Sequence, residues 1–406
     1  MRRLPLLFAA LIVGACAFSE DPSGDPRTIV VWELEDASVT PFIDAIFKDF
    51  AQQPGNDGVR VIRTHFHPED LRQQFLTASI AGSPPDLVID ASDRAGIYSI
   101  AGFILPVNGL FAMERYNKPV VDAISLDGKT WGVPISNGNH LMLFYNKKLA
   151  PRAPETTDEL FRTCKQIVPR HKLAHCAAWF AGEPFWLVPW LGAFGGFPID
   201  NKTPTLDTEA MRRTLAFLAG LIHDQRIMPA ECDYNCMDAL FKEGKAAFII
   251  NGDWAISSYR EKFGADLGVA RIPKLSQTGR WPAPMISGRY FMLSSKLEGA
   301  KLDLVRRLVE FYTNEKNQTA QVAQLMRLPA LKAAMGTEAI RQDAALQASK
   351  DQLMVGTPMP MATEIRAVWD AIRPHLAKAL LKKITPAEAA RKMQKDAAQK
   401  IAEMND

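Results

Sequence analysis

The residues best equipped for chemistry in this sequence are tryptophans, carboxylates and one arginine that fall where strands end and loops begin. They are Trp32 with Glu35 and Asp36; Asp90, Asp93 and Arg94; Glu183 with Phe185 and Trp186; Asn251, Asp253 and Trp254; and Trp369. A flat aromatic face covers the C–H face of a pyranose ring. Carboxylates accept two hydroxyl hydrogen bonds at once and a guanidinium donates several, so together they hold the ring's edge. Each residue also has a plain structural reading. Trp32 ends a strand and fits a core, Asp93 and Arg94 fit a surface pair, and Trp369 fits the packing of its own helix.

Other chemistries are weaker matches. Asp90, Asp93 and Glu183 resemble a glycosidase acid pair in type only, and the chain has no nucleophile elbow, phosphate loop or zinc-protease helix. The sequence therefore reads as a non-enzyme. His65 and His67 alternate along a strand but lack neighbouring ligands, and His175 beside Cys176 reads as structural. No cofactor or metal is implied. Loss of Arg2 and Arg3 with a leader would leave 46 basic residues facing 45 acidic ones, so no nucleic-acid footprint is present.

The first residues read as a targeting leader: Arg2 and Arg3 precede an apolar run over residues 4–15 that is too short to span a bilayer. The run ends Val13-Gly14-Ala15-Cys16, a lipobox pattern that predicts cleavage before Cys16 and lipid on its thiol. The alternative is an ordinary leader with an incidental cysteine. A flexible tether over 17–27 follows, and the protein is expected outside the cytoplasmic membrane, anchored by that lipid. Four cysteines remain: Cys164, Cys176, Cys232 and Cys236. They suit a disulfide-permissive compartment and allow three pairings, of which sequence proximity favours Cys164 with Cys176 and Cys232 with Cys236. Their spacing suits structural zinc poorly, and three residues between Cys232 and Cys236 depart from a redox C-x-x-C.

The elements that must position these residues alternate short β-branched runs with amphipathic helices, the pattern of α/β domains. Strands are expected at 28–32, 59–64 and 86–89. The first helix runs to about 52 from Thr40 as N-cap with Pro41 at its first position; the second spans 68–80. Later helices are expected from 157, with Thr156 and Glu159 as a capping box, and near 207–225, 234–243, 301–325, 361–381 and 386–403, the last opened by Thr385 and Glu388. A mature chain of about 390 residues exceeds what one core usually supports, so two lobes are expected.

Several segments together resemble the family 1 extracellular solute-binding proteins of bacterial ABC sugar importers, over nearly all of 28–403, and in particular the maltose-binding branch. They are Ile29-Val30-Val31-Trp32 with Asp36; Gly82-Ser83-Pro84-Pro85-Asp86-Leu87-Val88 leading to Asp93-Arg94; Asp127-Gly128-Lys129 with Val133-Pro134-Ile135; and Leu143-Phe144-Tyr145-Asn146-Lys147. Glu183-Pro184-Phe185 with Gly195-Gly196, Phe241-Lys242-Glu243-Gly244-Lys245-Ala246-Ala247 with Ile250-Asn251-Gly252-Asp253-Trp254, and the helix holding Trp369 complete the set.

The resemblance implies a type II periplasmic-binding-protein fold: two α/β lobes, each around a mostly parallel sheet, hinged by crossing segments near 137, 272 and 326. The lobes would comprise 28–136 plus 274–325, and 139–270 plus 326–406. It further implies capture of maltose, maltodextrin or a related disaccharide between the lobes, delivery to permease subunits, and a monomeric state. Asp36, Asp93 and Arg94 would bind hydroxyls from the first lobe and Glu183 from the second, with Phe185, Trp254 and Trp369 as stacking surfaces. Three positions depart from the branch: Asp90 replaces a tryptophan and is expected to add a ligand carboxylate, Ala37 replaces a lysine, and Gly138-Asn139-His140 replaces a glutamate. A lipid-anchored sugar sensor that presents its closed form to a signalling receptor is the alternative use of the same fold.

Overall fold

The computed structural model describes residues 25–405. The leader, the lipobox with Cys16 and most of the tether lie outside the described residues. Two mixed sheets organise the chain. In the first, the strands Thr28–Glu33, Arg60–His65 and Leu87–Asp90 run parallel, with Thr28–Glu33 in the middle of the three. The strand Tyr290–Leu293 pairs antiparallel with both Leu87–Asp90 and Val133–Pro134 and completes the order. Leu87–Asp90 is buried throughout and Thr28–Glu33 nearly so, which is why both read as unbroken apolar runs and not as alternation. The helix Thr40–Ala51 buries Phe42, Ile43, Ile46, Phe47 and Phe50 on one face.

In the second sheet Leu141–Asn146 pairs antiparallel with Phe248–Gly252 on one side and Leu267–Ala270 on the other, and only Ala177–Ala178 adds a parallel pairing. The two-lobed α/β architecture expected from the sequence is present, each lobe built around a mostly parallel sheet in which one strand, Tyr290–Leu293 or Leu141–Asn146, runs against the others. Strands entering a lobe from a crossing segment come in against the direction set by the local β-α-β units, and periodicity does not record strand direction.

Each sheet carries its own core. One gathers Ile29, Val31, Leu87, Tyr98, Phe291 and Leu308 with Ala330 and Leu331; the other gathers Phe144, Trp179, Trp190, Phe248, Tyr259 and Met393 with Ile272, Leu275 and Met285. Three segments tie the lobes together. Ile135 and Gly138 donate backbone hydrogen bonds to Arg289 and Ser287, Ser287 donates back to Gly138, and Asn137 donates to Leu328. The middle crossing therefore lies near Ser287 instead of 272, and residues 275–285 pack with the second lobe and 330–334 with the first, the reverse of the expected assignment. Buried side chains such as Leu275 and Ala330 decide lobe membership, and composition alone does not distinguish the two cores.

Local signals were followed closely in places. Thr156 and Thr385 each accept a hydrogen bond from the backbone N–H three residues on, as capping residues do. Thr40 is instead the first helical residue, after Val39. The helix expected over 301–325 is two, Gly299–Tyr312 and Glu315–Leu325, because Thr313 bonds back to Val309 and Asn314 caps the second by accepting from Asn317. Cys164 is bonded to Cys176 and Cys232 to Cys236, both within the second lobe. Among the described residues, no helix is long and apolar enough to cross a membrane.

Candidate functional site

The second lobe contributes an aromatic wall. The strand Phe248–Gly252 ends in Gly252, where an added Cβ would lie 2.1 Å from the Trp254 ring, so glycine is what lets the indole lie flat against the backbone. Trp254 Nε1 donates to the Tyr234 hydroxyl at 3.1 Å, and Asn251, itself bonded to Tyr259, donates to the same oxygen at 3.4 Å. Phe185 and Trp186 flank Trp254 with ring centroids 6.3 and 6.4 Å away. Trp186 is anchored through Nε1 to the carbonyl of Ile250. Burial raises the Tyr234 phenol above its usual range, so it stays a neutral hydroxyl.

Glu183 stands at the start of the helix Pro184–Ala193 and accepts a two-pronged pair from Arg373, Nε to Oε2 at 3.0 Å and Nη2 to Oε1 at 3.1 Å. Arg373 lies one turn beyond Trp369 on the helix Glu364–Leu380 and also binds Asp370. Trp369 itself is packed into the second core with 7% of its surface exposed, which leaves little of it for a ligand to cover.

The first lobe faces this wall with charge. Asp36 is exposed just past the strand Thr28–Glu33, and its carboxylate acts electrostatically on both Tyr234 and Arg327. Its neighbour Glu35 is buried between Arg327 (Nη1 to Oε2, 2.5 Å) and Arg289 (Nε to Oε1, 3.1 Å). Burial pushes the Glu35 carboxyl up, but the charges of Arg327 and then Arg289 outweigh it and hold the group below its usual range. Arg94 and Asp93 are half-buried in the first turn of the helix Ser92–Ile100.

Asp90 corrects an expectation. It is fully buried and accepts from the Ala91 N–H (2.8 Å), Arg94 Nη1 (2.7 Å) and the Tyr98 hydroxyl (3.1 Å), so its oxygens are occupied inside the lobe. Desolvation, opposed by Arg94, raises its carboxyl above the usual range. Asp90 orients Arg94 and does not reach the groove.

The walls meet at the crossings. Ser136, Asn139, Asp253, Trp254, Arg289 and Arg327 line a recess of about 10 Å³, room for about one water. Asp253 accepts from the His140 N–H at 3.3 Å and comes so near Gly138 that a Cβ there would lie 1.9 Å from its Oδ2. His140 is buried, which lowers its pKa and keeps it neutral, with Nε2 3.2 Å from the Ser349 hydroxyl. Farther out, Gly96 touches the Met361 carbonyl, where a Cβ would lie 2.1 Å away.

The structure thus brings Asp36, Phe185 and Trp254 to one groove with Asp253, and sets Glu183 beside it under Arg373. Sequence reading missed Tyr234, Arg289, Arg327 and Arg373. Tyr234 sits between Cys232 and Cys236, a signal that was present; the arginines come from segments distant in sequence from the carboxylates they bind, and nothing local marks them. Glu33 binds His65 (3.3 Å) and Arg63 (2.6 Å) away from this groove, and among the described residues no group of three or more metal-ligating side chains occurs.

Two α/β lobes tied by three strands of chain, with an aromatic wall on one and a charged wall on the other, define a hinged ligand-binding protein. Residues 45–348 match the bacterial extracellular solute-binding proteins, and the chain belongs to that family. It is 26% identical over 312 residues to a maltotriose-binding protein of Pyrococcus abyssi, covering 75% of this chain and 67% of that one. It is 23% identical to a galactooligosaccharide-binding protein of Bacillus subtilis, covering 94% and 92%. Among solved structures, it superimposes on the maltose/maltodextrin-binding domain MalE of Bdellovibrio bacteriovorus bound to maltotriose with a TM-score of 0.84 and 32% identity, covering 92% of this chain and all of that one.

Proposed function

We propose that this protein captures a maltodextrin-type oligosaccharide, or a related disaccharide, in the groove between its lobes and delivers it to the permease of an ABC importer. The observation that carries the reading is the aromatic wall of Trp254 and Phe185, with Trp254 fixed by the Tyr234 hydroxyl, on which the Asp36 carboxylate of the other lobe acts electrostatically: an apolar face with an acceptor facing it. The 32% identity to a maltotriose-bound protein over 92% of this chain supports the same ligand class. A maltooligosaccharide ABC transporter solute-binding lipoprotein of Streptococcus pneumoniae, 23% identical over 92% of this chain, supports both transport and a lipid anchor on Cys16 at the outer face of the membrane.

In this mechanism Trp254 and Phe185 cover the sugar's C–H face while Asp36, Asp93 and Arg94 bind hydroxyls from the opposite lobe. Glu183 shares itself between Arg373 and the ligand. The segments near 137, 287 and 328 act as the hinge, and ligand favours the closed form because only there do both walls touch it. The protein works as a monomer and presents the closed form to the permease. Calorimetric titration with maltose, maltotriose, trehalose, sucrose and glucose tests the reading: saturable binding of one of them is expected, and silence across the panel refutes it.

A further inference from the structure

The recess where the lobes join contains donors that the wall-on-wall mechanism does not use. Glu35 emerges from the first sheet as a buried carboxylate, 3% exposed, and each of its oxygens takes one guanidinium: Arg327 from the last crossing and Arg289 from the middle one. A guanidinium has five N–H donors in a fixed fork. Among the described residues neither Arg289 nor Arg327 has another side-chain partner within hydrogen-bonding distance, so most of their donors remain. Their side chains are 19% and 11% exposed, and both line the recess beside Asp253, Asn139 and Ser136, with the Trp254 ring forming one side.

Two features decide what this recess takes. Its deepest part is about the size of one water and opens to the groove, so it suits a single substituent projecting from a ring that lies in the groove. Its charge does not favour an anion: Arg289 and Arg327 are faced by Glu35, Asp36 and Asp253, which leaves one net negative charge. A neutral oxygen substituent fits both conditions, since it accepts from the arginines while its own hydrogen is within the reach of Asp253.

Resting on the reading that the groove binds a sugar, we infer that Arg289 and Arg327 are specificity-determining donors. They bind one hydroxyl or hydroxymethyl oxygen of the ring that lies on Trp254. Glu35 is the positioning residue that holds both forks at that oxygen. Because the arginines arrive on two different crossings, Glu35 also couples the geometry of the oxygen site to the hinge.

The test titrates maltotriose into the wild-type protein and the variants Arg289→Gln, Arg327→Gln, Arg289→Lys and Arg327→Lys, with Arg341→Gln, on the exposed Glu338 pair, as control. Melting and circular dichroism are followed in each. Each glutamine variant is expected to bind about 10- to 100-fold more weakly, the loss of a hydrogen bond to a charged donor. The lysine variants, which keep the charge on Glu35 but lose the fork, are expected to weaken binding by about 5-fold or more. If the glutamine variants fail to fold, the lysine variants carry the test. Folded variants with wild-type affinity overturn this assignment while leaving sugar binding intact. Wild-type protein silent to the sugar panel overturns the sugar reading and this assignment with it.

Discussion

Replacing Cys232 and Cys236 by alanine should weaken sugar binding and lower the melting temperature only a little, whereas replacing Cys164 and Cys176 should lower the melting temperature more and leave sugar binding unchanged. The bridges close loops of different length, with sequence separations of 4 and 12 residues. Loop-closure entropy makes the shorter one worth about 2 kcal/mol and the longer one about 3 kcal/mol. With an unfolding entropy of about 2.1 cal/mol/K per residue over roughly 380 residues, these correspond to melting shifts of about 2 °C and about 4 °C. The longer bridge also joins two fully buried positions, so its removal adds a packing loss. The shorter bridge brackets Tyr234, whose hydroxyl fixes Trp254 through a 3.1 Å hydrogen bond. Releasing Tyr234 should forfeit about 1 kcal/mol of that fixation, about a fivefold loss of affinity. Differential scanning calorimetry and maltotriose titration on both double variants read the two effects separately. Unchanged affinity in the Cys232/Cys236 variant, with a loss in the other, would refute the link between that bridge and the aromatic wall.

Gly252→Ala should displace the Trp254 ring, since its Cβ would lie 2.1 Å from it. The expected result is a roughly tenfold loss of sugar affinity or more and a shifted tryptophan emission spectrum, with melting changed far less. Gly96→Val should press on the carbonyl of Met361, whose side chain packs in the first core, and lower the melting temperature measured by scanning calorimetry. Acid sensitivity should trace to Glu35, whose folded pKa lies below its ordinary value of 4.5 because Arg327 and Arg289 outweigh burial. A depressed folded pKa means that the unfolded chain takes up the proton first. The stabilisation is then complete above the ordinary value and is lost as pH falls through the folded one. Melting temperatures recorded between about pH 6 and pH 3 should fall less steeply in Glu35→Gln than in the wild type; parallel slopes would count against the assignment.

Much of the second lobe's aromatic wall was legible because its residues lie close together in sequence. Gly252, Asp253 and Trp254 follow one strand, and Glu183 and Phe185 lie two residues apart, so their types and order already marked them as candidates at strand ends and loops; that Glu183 stands at the start of a helix is seen only in the structure. Trp369 was harder. Its helical spacing fitted either a core or a stacking role, and only packing shows that it lies mostly within the core. Asp90 was misread for a similar reason: a carboxylate at the end of a parallel strand is well placed for a ligand, but Arg94 and Tyr98, one and two turns of helix away, turn it inward.

The sequence by itself determined the three strands at 28–32, 59–64 and 86–89 and most of the longer helices, that there are two lobes, and which aromatic and acidic residues end up near strand termini. Those properties follow from short-range periodicity and capping. Only the tertiary structure decided where the middle crossing falls, which lobe holds residues 275–285, how the sheets mix parallel and antiparallel pairs, and that Glu35 gathers Arg289 and Arg327. These depend on contacts between segments hundreds of residues apart, such as Glu35 with Arg327. A local pattern carries no record of which distant partner a buried charge will meet, because the desolvation that makes the pairing necessary arises only once the lobes have formed.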